Sequence, residues 1–385
     1  MGVMNELMDP PAIATLVGIL KETSPGVPWE RTAATGAELG ELNLRARTDL
    51  VARALVADIS EASRGDGFTT AARSFRAALQ LPEFTGWVLW PVSEAAASLA
   101  LDSGALEDFD DCLALLAELT PRLTGEFAIR RLLARNPDRA LAAIQEWTAN
   151  PDEHVRRLAS EGTRPYLPWA VRVPALVQRP EATLPILDAL YRDSSEYVRR
   201  SVANHLNDLA RHVPDAVVAT AGRWLGAAVG NTADSNTVDK NTAWVVRHGL
   251  RTLIKKGHPG ALALLGFTPA SVAVNGPRLD QETLTVPGEL TFAFEISNSG
   301  TEEVKLAVDY LVHYQKANGS QSAKVFKIST LTLAPGERRS LSKRHAFRQM
   351  TTRVHHPGLH ALELQINGAV HGRAEFLLET VRAET

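Results

Sequence analysis

Between residues 121 and 266 a short phrase recurs: Val155-Arg156-Arg157, then Val198-Arg199-Arg200, then the looser Val245-Val246-Arg247, at intervals of 43 and 47 residues. Helix breakers divide these intervals. Asn150-Pro151, Arg179-Pro180 and Val213-Pro214 each read as the opening of a helix, because proline is tolerated in a first turn and not beyond it. Each interval therefore predicts two antiparallel helices. Such a unit has an apolar face that only a stacked neighbour can bury, and two helices per period in the forties is the pattern of HEAT-like repeats. The Ala/Leu-rich stretches 50–59, 71–79 and 112–119 also read as helices, without a countable period.

After Gly266-Phe267-Thr268-Pro269 the spacing changes to alternation, as in 290–296, 306–312 and 362–366. Period two means strands. Asn367-Gly368 and Pro335-Gly336 read as hairpin turns. About 115 residues of this kind suit an immunoglobulin-like β-sandwich, here without the Cys-Trp-Cys core of antibody domains. The predicted fold is a HEAT-like α-solenoid over residues 1–266 followed by a β-sandwich over 267–385. The stretch 226–230 reads as a connection between repeats, and 230–240 as a surface loop.

No apolar run approaches the roughly 20 residues that cross a bilayer, and the N-terminus carries no secretory signal, so the expected location is cytoplasmic. Gly2 lacks the context for myristoylation. The single cysteine, Cys112, excludes an intrachain disulfide and a multi-cysteine zinc site. The net charge of −3 hides a segregation. Residues 1–120 hold 8 Lys and Arg against 18 Asp and Glu (−10), residues 121–266 hold 20 against 14 (+6), and residues 267–385 hold 13 against 12 (+1). A basic middle segment points to an anionic partner, although a solvated basic face looks the same.

If each phrase opens an inner helix, residues three or four apart share its face. That face carries Arg157, Glu161 and Arg164 in the first repeat, and Arg200, Asn204, Asn207, Asp208 and Arg211 in the second. In the third it carries Arg247, Arg251 and Lys255. Val155, Leu158, Val202 and Leu206 fall elsewhere and can pack. Arginine's planar fork suits phosphate, and several along a groove would hold a duplex backbone without reading its sequence. Ion-paired helix faces produce the same spacing on any one helix; three successive repeats favour nucleic acid.

The run Glu126-Phe127-Ala128-Ile129-Arg130, the run from His154 to Gly162, Arg164-Pro165, Pro168-Trp169 and the upstream Trp90-Pro91-Val92-Ser93-Glu94 together resemble the AlkC branch of bacterial DNA alkylation repair proteins. The similarity extends from about residue 90 to the end. It implies base excision repair: a monofunctional glycosylase acting on small cationic bases, chiefly N3-methyladenine, in duplex DNA without flipping the base. N3-methylcytosine and N1-methyladenine stay open. A cationic base already leaves well, so the chemistry calls for a carboxylate that stabilises an oxocarbenium-like sugar and orients water. Glu161 is the first candidate, with an ordinary salt bridge to Arg157 as its other reading. Glu126 matches a second acidic position of the family, and could equally be a helix-start residue favoured by the dipole. Asp208, at a similar groove position one repeat later, reads as an assistant, or else as a helix cap or a partner of Arg211. Trp169 is expected to stack on the base or the abasic gap, against the usual fate of tryptophan in a core. Phosphate contacts are expected from Arg157, Arg164, Arg200, Asn204, Arg247 and Arg251.

No Walker or Rossmann glycine pattern occurs, and His355-His356 lack companion ligands, so neither cofactor nor metal is expected. No lysine is marked out as a lyase nucleophile. Arg338-Arg339 and Lys343-Arg344 read equally as a phosphate clamp and as charge guarding a strand edge. The expected partner is double-stranded DNA with alkylated bases, with no membrane and no obligate protein partner, and the chain is expected to be monomeric. The alternative is a non-enzymatic scaffold whose repeats bind DNA or protein. Carboxylates inside an Arg-lined groove speak against it, because they repel phosphate.

Overall fold

The computed structural model describes residues 6–63, 65–228, 239–348 and 354–380. Among these residues sixteen α-helices precede eight strands. The chain forms two compact units, one of residues 1–216 and 224–249, the other of residues 217–223 and 250–385. No helix among the described residues is long and apolar enough to cross a membrane. The predicted connection at 226–230 lies partly, and the predicted loop 230–240 almost wholly, outside the described residues.

The first unit opens with α1 (Pro10–Thr23), α2 (Glu30–Glu38), α3 (Leu44–Ser63) and α4 (Gly67–Ala78), which cover two of the stretches expected to be helical. Asp9 starts α1 by accepting from the Ala12 N–H at 2.9 Å, with proline in the first turn. α5 (Leu89–Ser103) is buried on nearly every side, with α3, α4 and α6 (Leu106–Leu119) around it, and its Ala-rich middle lets these neighbours approach. Cys112 on α6 is fully buried, and burial pushes its thiol pKa up, so it packs as a small apolar side chain. α7 (Ile129–Arg135) and α8 (Pro137–Glu146) follow.

The recurring phrase lies in the first turn of α9 (Glu153–Glu161) and of α12 (Glu196–Leu209), but its third copy falls in the second half of α14 (Lys240–Gly249) and does not open it; α12 packs against both of the others. Between them lie α10 (Pro174–Gln178), α11 (Leu184–Leu190) and α13 (Pro214–Ala228). The breakers act as expected with small shifts. Asp152, not Asn150, caps α9 by accepting from the His154 N–H at 2.7 Å, and Pro180 opens a 3₁₀ turn that leads into α11. Val155, Leu158, Val202 and Leu206 are all buried.

The middle residue of the phrase turns out to be structural. Arg156 donates to the carbonyls of Asn150 and Pro151, and Arg199 donates to those of Asp193 and Ser194, so each fastens the turn before its own helix. Val246 takes the place in the third phrase and is buried instead. α14 approaches α12 closely because residue 249 is glycine: a Cβ there would lie 2.7 Å from Leu206 Cδ2. One expectation needs correction. α14 ends at Gly249 and α15 (Arg251–Lys255) starts after a break at Leu250, so Arg247, Arg251 and Lys255 do not share one unbroken helix.

The second unit contains α15, α16 (Pro259–Leu264) and the strands. β1 (Val272–Leu279), β3 (Gly288–Asn298) and β6 (Arg338–Phe347) form a sheet in the order β1-β3-β6. β2 (Thr283–Val286), β4 (Val304–Gln315), β5 (Gln321–Leu333), β7 (Gly358–Ile366) and β8 (Ala369–Thr380) form the order β2-β8-β7-β4-β5, with β2 parallel to β8. Alternate residues of the two sheets, among them Phe292, Phe294, Ile296, Val308, Val312 and Leu364, make one core. Between the two sheets, His345 on β6 bridges the hydroxyls of Tyr310 and Tyr314 on β4, both at 2.8 Å. Asn367-Gly368 is the β7–β8 hairpin with both residues at positive φ, and it touches Gly257 so closely that a Cβ on Gly257 would lie 2.6 Å from Gly368. Arg344 and Arg339 are ion-paired to Glu289 and Glu337 on exposed surface.

Candidate active site

Glu161 is the last residue of α9 and Gly162 follows it as the cap. The packing there is tight, since a Cβ at 162 would lie 3.0 Å from both Ile129 Cγ2 and the Leu158 carbonyl. The chain turns at once, and Arg164 reaches back to donate from Nη1 to Glu161 Oε1 at 2.6 Å. Its Nε donates to Asp208 Oδ2 on α12 at 2.9 Å. The other oxygen of Glu161, Oε2, accepts from Ser201 Oγ at 2.6 Å, also on α12. Arg157, one turn earlier on α9, lies 3.5 Å from Glu161 Oε1 and donates to Glu126 Oε2 in the turn before α7. Thr124 Oγ1 adds a bond to the same Glu126 oxygen at 3.2 Å.

Opposite charges thus alternate along Glu126, Arg157, Glu161, Arg164 and Asp208, drawn from three parts of the helical unit. Glu126, Glu161, Arg164 and Asp208 are all buried. Such pairs contribute little net stability after desolvation, but they fix geometry, because each carboxylate has a single satisfied orientation. Burial pushes the Asp208 pKa up, and its bond to Arg164 only partly offsets this. For Arg164 burial acts to lower the pKa, and the charges of Glu161 and Asp208 outweigh it, so the guanidinium stays charged. The charge of the buried Arg130 also acts on Glu126 and Asp208, so a third guanidinium stands near these three carboxylates.

The cluster borders a cleft of about 320 Å³. Glu126, Glu161, Arg164 and Thr124 supply polar lining, and the rest is apolar or aromatic, with Trp87, Trp90, Phe127 and Trp169 the largest side chains. Trp90 stacks on Phe127 at 4.5 Å, with its indole N–H directed to Glu94 Oε1 at 3.3 Å. Trp169 is no core residue: it is 73% exposed and has φ of +62°. A bulky residue in the left-handed region is strained, so the surrounding loop must impose the conformation. Arg130 supplies the constraint. Fully buried, it donates to the carbonyls of Gly162, Arg164 and Val171 at 3.1, 2.8 and 2.6 Å, pinning both ends of the loop. Burial pulls its pKa down to about 10, leaving it charged at neutral pH.

The structure brings together Glu126, Glu161, Asp208, Trp169, Arg157 and Arg164. The salt bridge of Glu161 to Arg157 exists alongside its place in the cleft, so the two readings of Glu161 are compatible. Arg200 lies apart on exposed α12 surface, paired with Glu196 at 2.6 Å, and Asn204 faces His248 at 3.2 Å. Arg247 is exposed on α14 and Arg251 lies beyond it on α15. Sequence reasoning missed Ser201, Thr124, Trp87 and Arg130 as contributors, as well as Tyr197, whose ring lies 5.1 Å from the Arg157 guanidinium. Only Arg130 gave a signal, as the end of the quoted motif run.

Residues 123–251 match the family model described as DNA alkylation repair enzyme, and residues 273–380 match the C-terminal Ig-like domain of uncharacterised protein YhaZ. The uncharacterized protein YhaZ of Bacillus subtilis (strain 168) is 35% identical over 272 residues, covering 70% of this chain and 72% of that protein. The solved structure of the Pseudomonas fluorescens alkylpurine DNA glycosylase AlkC, bound to DNA containing an abasic site analog, superposes with a TM-score of 0.77. It is 32% identical, with 98% of this chain and all of that chain covered. Sharing both segments and the whole architecture, the chain belongs to the AlkC-type family of DNA alkylation repair proteins.

Proposed function

We propose that this protein is a monofunctional DNA glycosylase that hydrolyses the N-glycosidic bond of small cationic alkylated bases, chiefly N3-methyladenine, in duplex DNA. The observation that carries the proposal is the placement of Glu161 and Glu126 beside an exposed, conformationally strained Trp169 in one aromatic-lined cleft. The AlkC neighbour, an alkylpurine DNA glycosylase, supports it.

In this reading the bond from C1′ to the base nitrogen breaks, and its electron pair neutralises the departing base. Positive charge develops on the sugar, where Glu161 stabilises it electrostatically. Water attacks C1′ and passes a proton to a carboxylate, with Glu126 sharing that work. Asp208 acts through Arg164. The latter and Arg157, expected from sequence to meet phosphate, serve better as positioning residues, because carboxylates occupy their guanidiniums. Arg200, Asn204, Arg247 and Arg251 stay assigned to phosphate, Arg200 by exchanging its solvent-exposed partner Glu196 for it. Trp169 fills or braces the space at the lesion with the base kept in the duplex. The functional division follows residues 1–266 and 267–385, and the protein works as a cytoplasmic monomer without cofactor or obligate partner.

Purified protein incubated with duplex DNA containing N3-methyladenine is expected to release free base faster than spontaneous loss. Release at the spontaneous rate would remove the enzymatic reading; tight binding without release would favour the scaffold. Trp169→Gly is expected to weaken binding to abasic-site DNA without lowering the melting temperature, since glycine tolerates the left-handed backbone and little packing is lost. A clear drop in melting temperature would return Trp169 to a structural role.

A further inference from the structure

We propose that Arg172 and Arg211, held against Tyr166, form a phosphodiester clamp that grips the DNA backbone beside the cleft; the assignment rests on the glycosylase reading above. The Arg172 and Arg211 guanidinium carbons lie 5.2 and 4.4 Å from the centroid of the same Tyr166 ring. The Tyr166 hydroxyl is bonded to His212 Nε2 at 2.7 Å, which fixes the ring. Both arginines and His212 are exposed, and Tyr166 is half-buried.

The charge pattern sets this cluster apart from its surroundings. Arg156, Arg157, Arg164, Arg179 and Arg200 are each ion-paired to a carboxylate. Arg172 and Arg211 form no ion pair among the described residues, and Asp208, already bonded to Arg164, acts on Arg211 only through its more distant charge. Two guanidiniums on one ring repel each other, and the ring's negative face relieves only part of that cost. An anion would relieve the rest, and arginine's forked donors match phosphate oxygens. The position fits the nucleotides flanking the lesion: Tyr166 and Arg172 belong to the loop that carries Trp169, and Arg211 follows Asp208 by three residues at the end of α12. One loop thus carries both the residue assigned to the lesion and half of a grip on its strand.

The test is binding of the full-length protein to duplex DNA carrying an abasic-site analog, followed by fluorescence anisotropy between roughly 0.05 and 0.2 M salt. Arg172→Gln and Arg211→Gln are each expected to weaken binding several-fold and to reduce the slope of log affinity against log salt by about one. Tyr166→Leu, which removes the platform, is expected to lower affinity and slope as both arginines come loose. Arg179→Gln, whose guanidinium is paired to Asp138 at 2.8 Å, serves as the control with wild-type slope. A wild-type slope in both arginine variants, or an equal loss in the control, overturns the clamp. If wild-type protein binds and excises while the variants keep their slopes, only the clamp falls; if wild-type protein binds no duplex, the glycosylase reading falls with it.

Discussion

Glu161→Gln is expected to reduce single-turnover excision on the order of 10²–10³-fold while binding abasic-site DNA within a few-fold of wild type. The substitution keeps shape and hydrogen bonding: the amide oxygen can accept from Arg164, and the Ser201 hydroxyl can rotate to accept from the amide nitrogen. What disappears is a full negative charge in a buried site, where water screens it poorly. Glu126→Gln in parallel separates the two carboxylates. Undiminished excision in Glu161→Gln together with a large loss in Glu126→Gln would transfer the principal role to Glu126.

Arg164→Met is expected to cost about 3–5 kcal/mol of stability at neutral pH, because it strands Asp208 as a buried charge and leaves Glu161 with only Ser201 and the more distant Arg157. The loss should shrink as the solution is acidified. Burial already holds the Asp208 pKa above its ordinary value, so in that window the folded chain binds more protons than the unfolded one and stability falls as pH rises. Removing Arg164 raises the folded pKa further and widens the window. Urea denaturation at about pH 5 and pH 8 measures the difference. Adding Asp208→Asn should recover part of the loss. A cost below about 1 kcal/mol, independent of pH, would mean that the pairs behave like solvated surface contacts.

The helical array and the sandwich were readable because burial imposes a period on sequence. The phrases at Val155, Val198 and Val245 fall on neighbouring helices, the first two near the helix start, and Asn367-Gly368 turns β7 into β8. Local spacing also placed Glu161 and Arg157 together, one turn apart on α9. It failed where the backbone departs from a helix. Helical spacing puts Arg164 on the stripe, yet α9 has ended by then and the side chain turns back to Glu161 and on to Asp208, 44 residues away. The break at Leu250 likewise takes Arg251 off the helix of Arg247. Ser201 was invisible for a related reason: a hydroxyl that serves a carboxylate 40 residues earlier leaves no local mark. The exposure of Trp169 depends on the left-handed backbone that Arg130 sustains from another helix, which no pattern in the loop itself announces.

Repeat arrays usually gain or lose whole units, because each unit needs only a neighbour of the right shape. Here Glu161 on α9 takes its hydrogen bond from Ser201 on α12, and Arg164 after α9 takes its second partner from Asp208 on α12. This buried charge cluster is stitched across the joint between two repeats, so neither could be duplicated, deleted or exchanged alone without unmaking it. An insertion or deletion of a repeat that leaves the cluster intact would have to fall outside this pair, which behaves as one block.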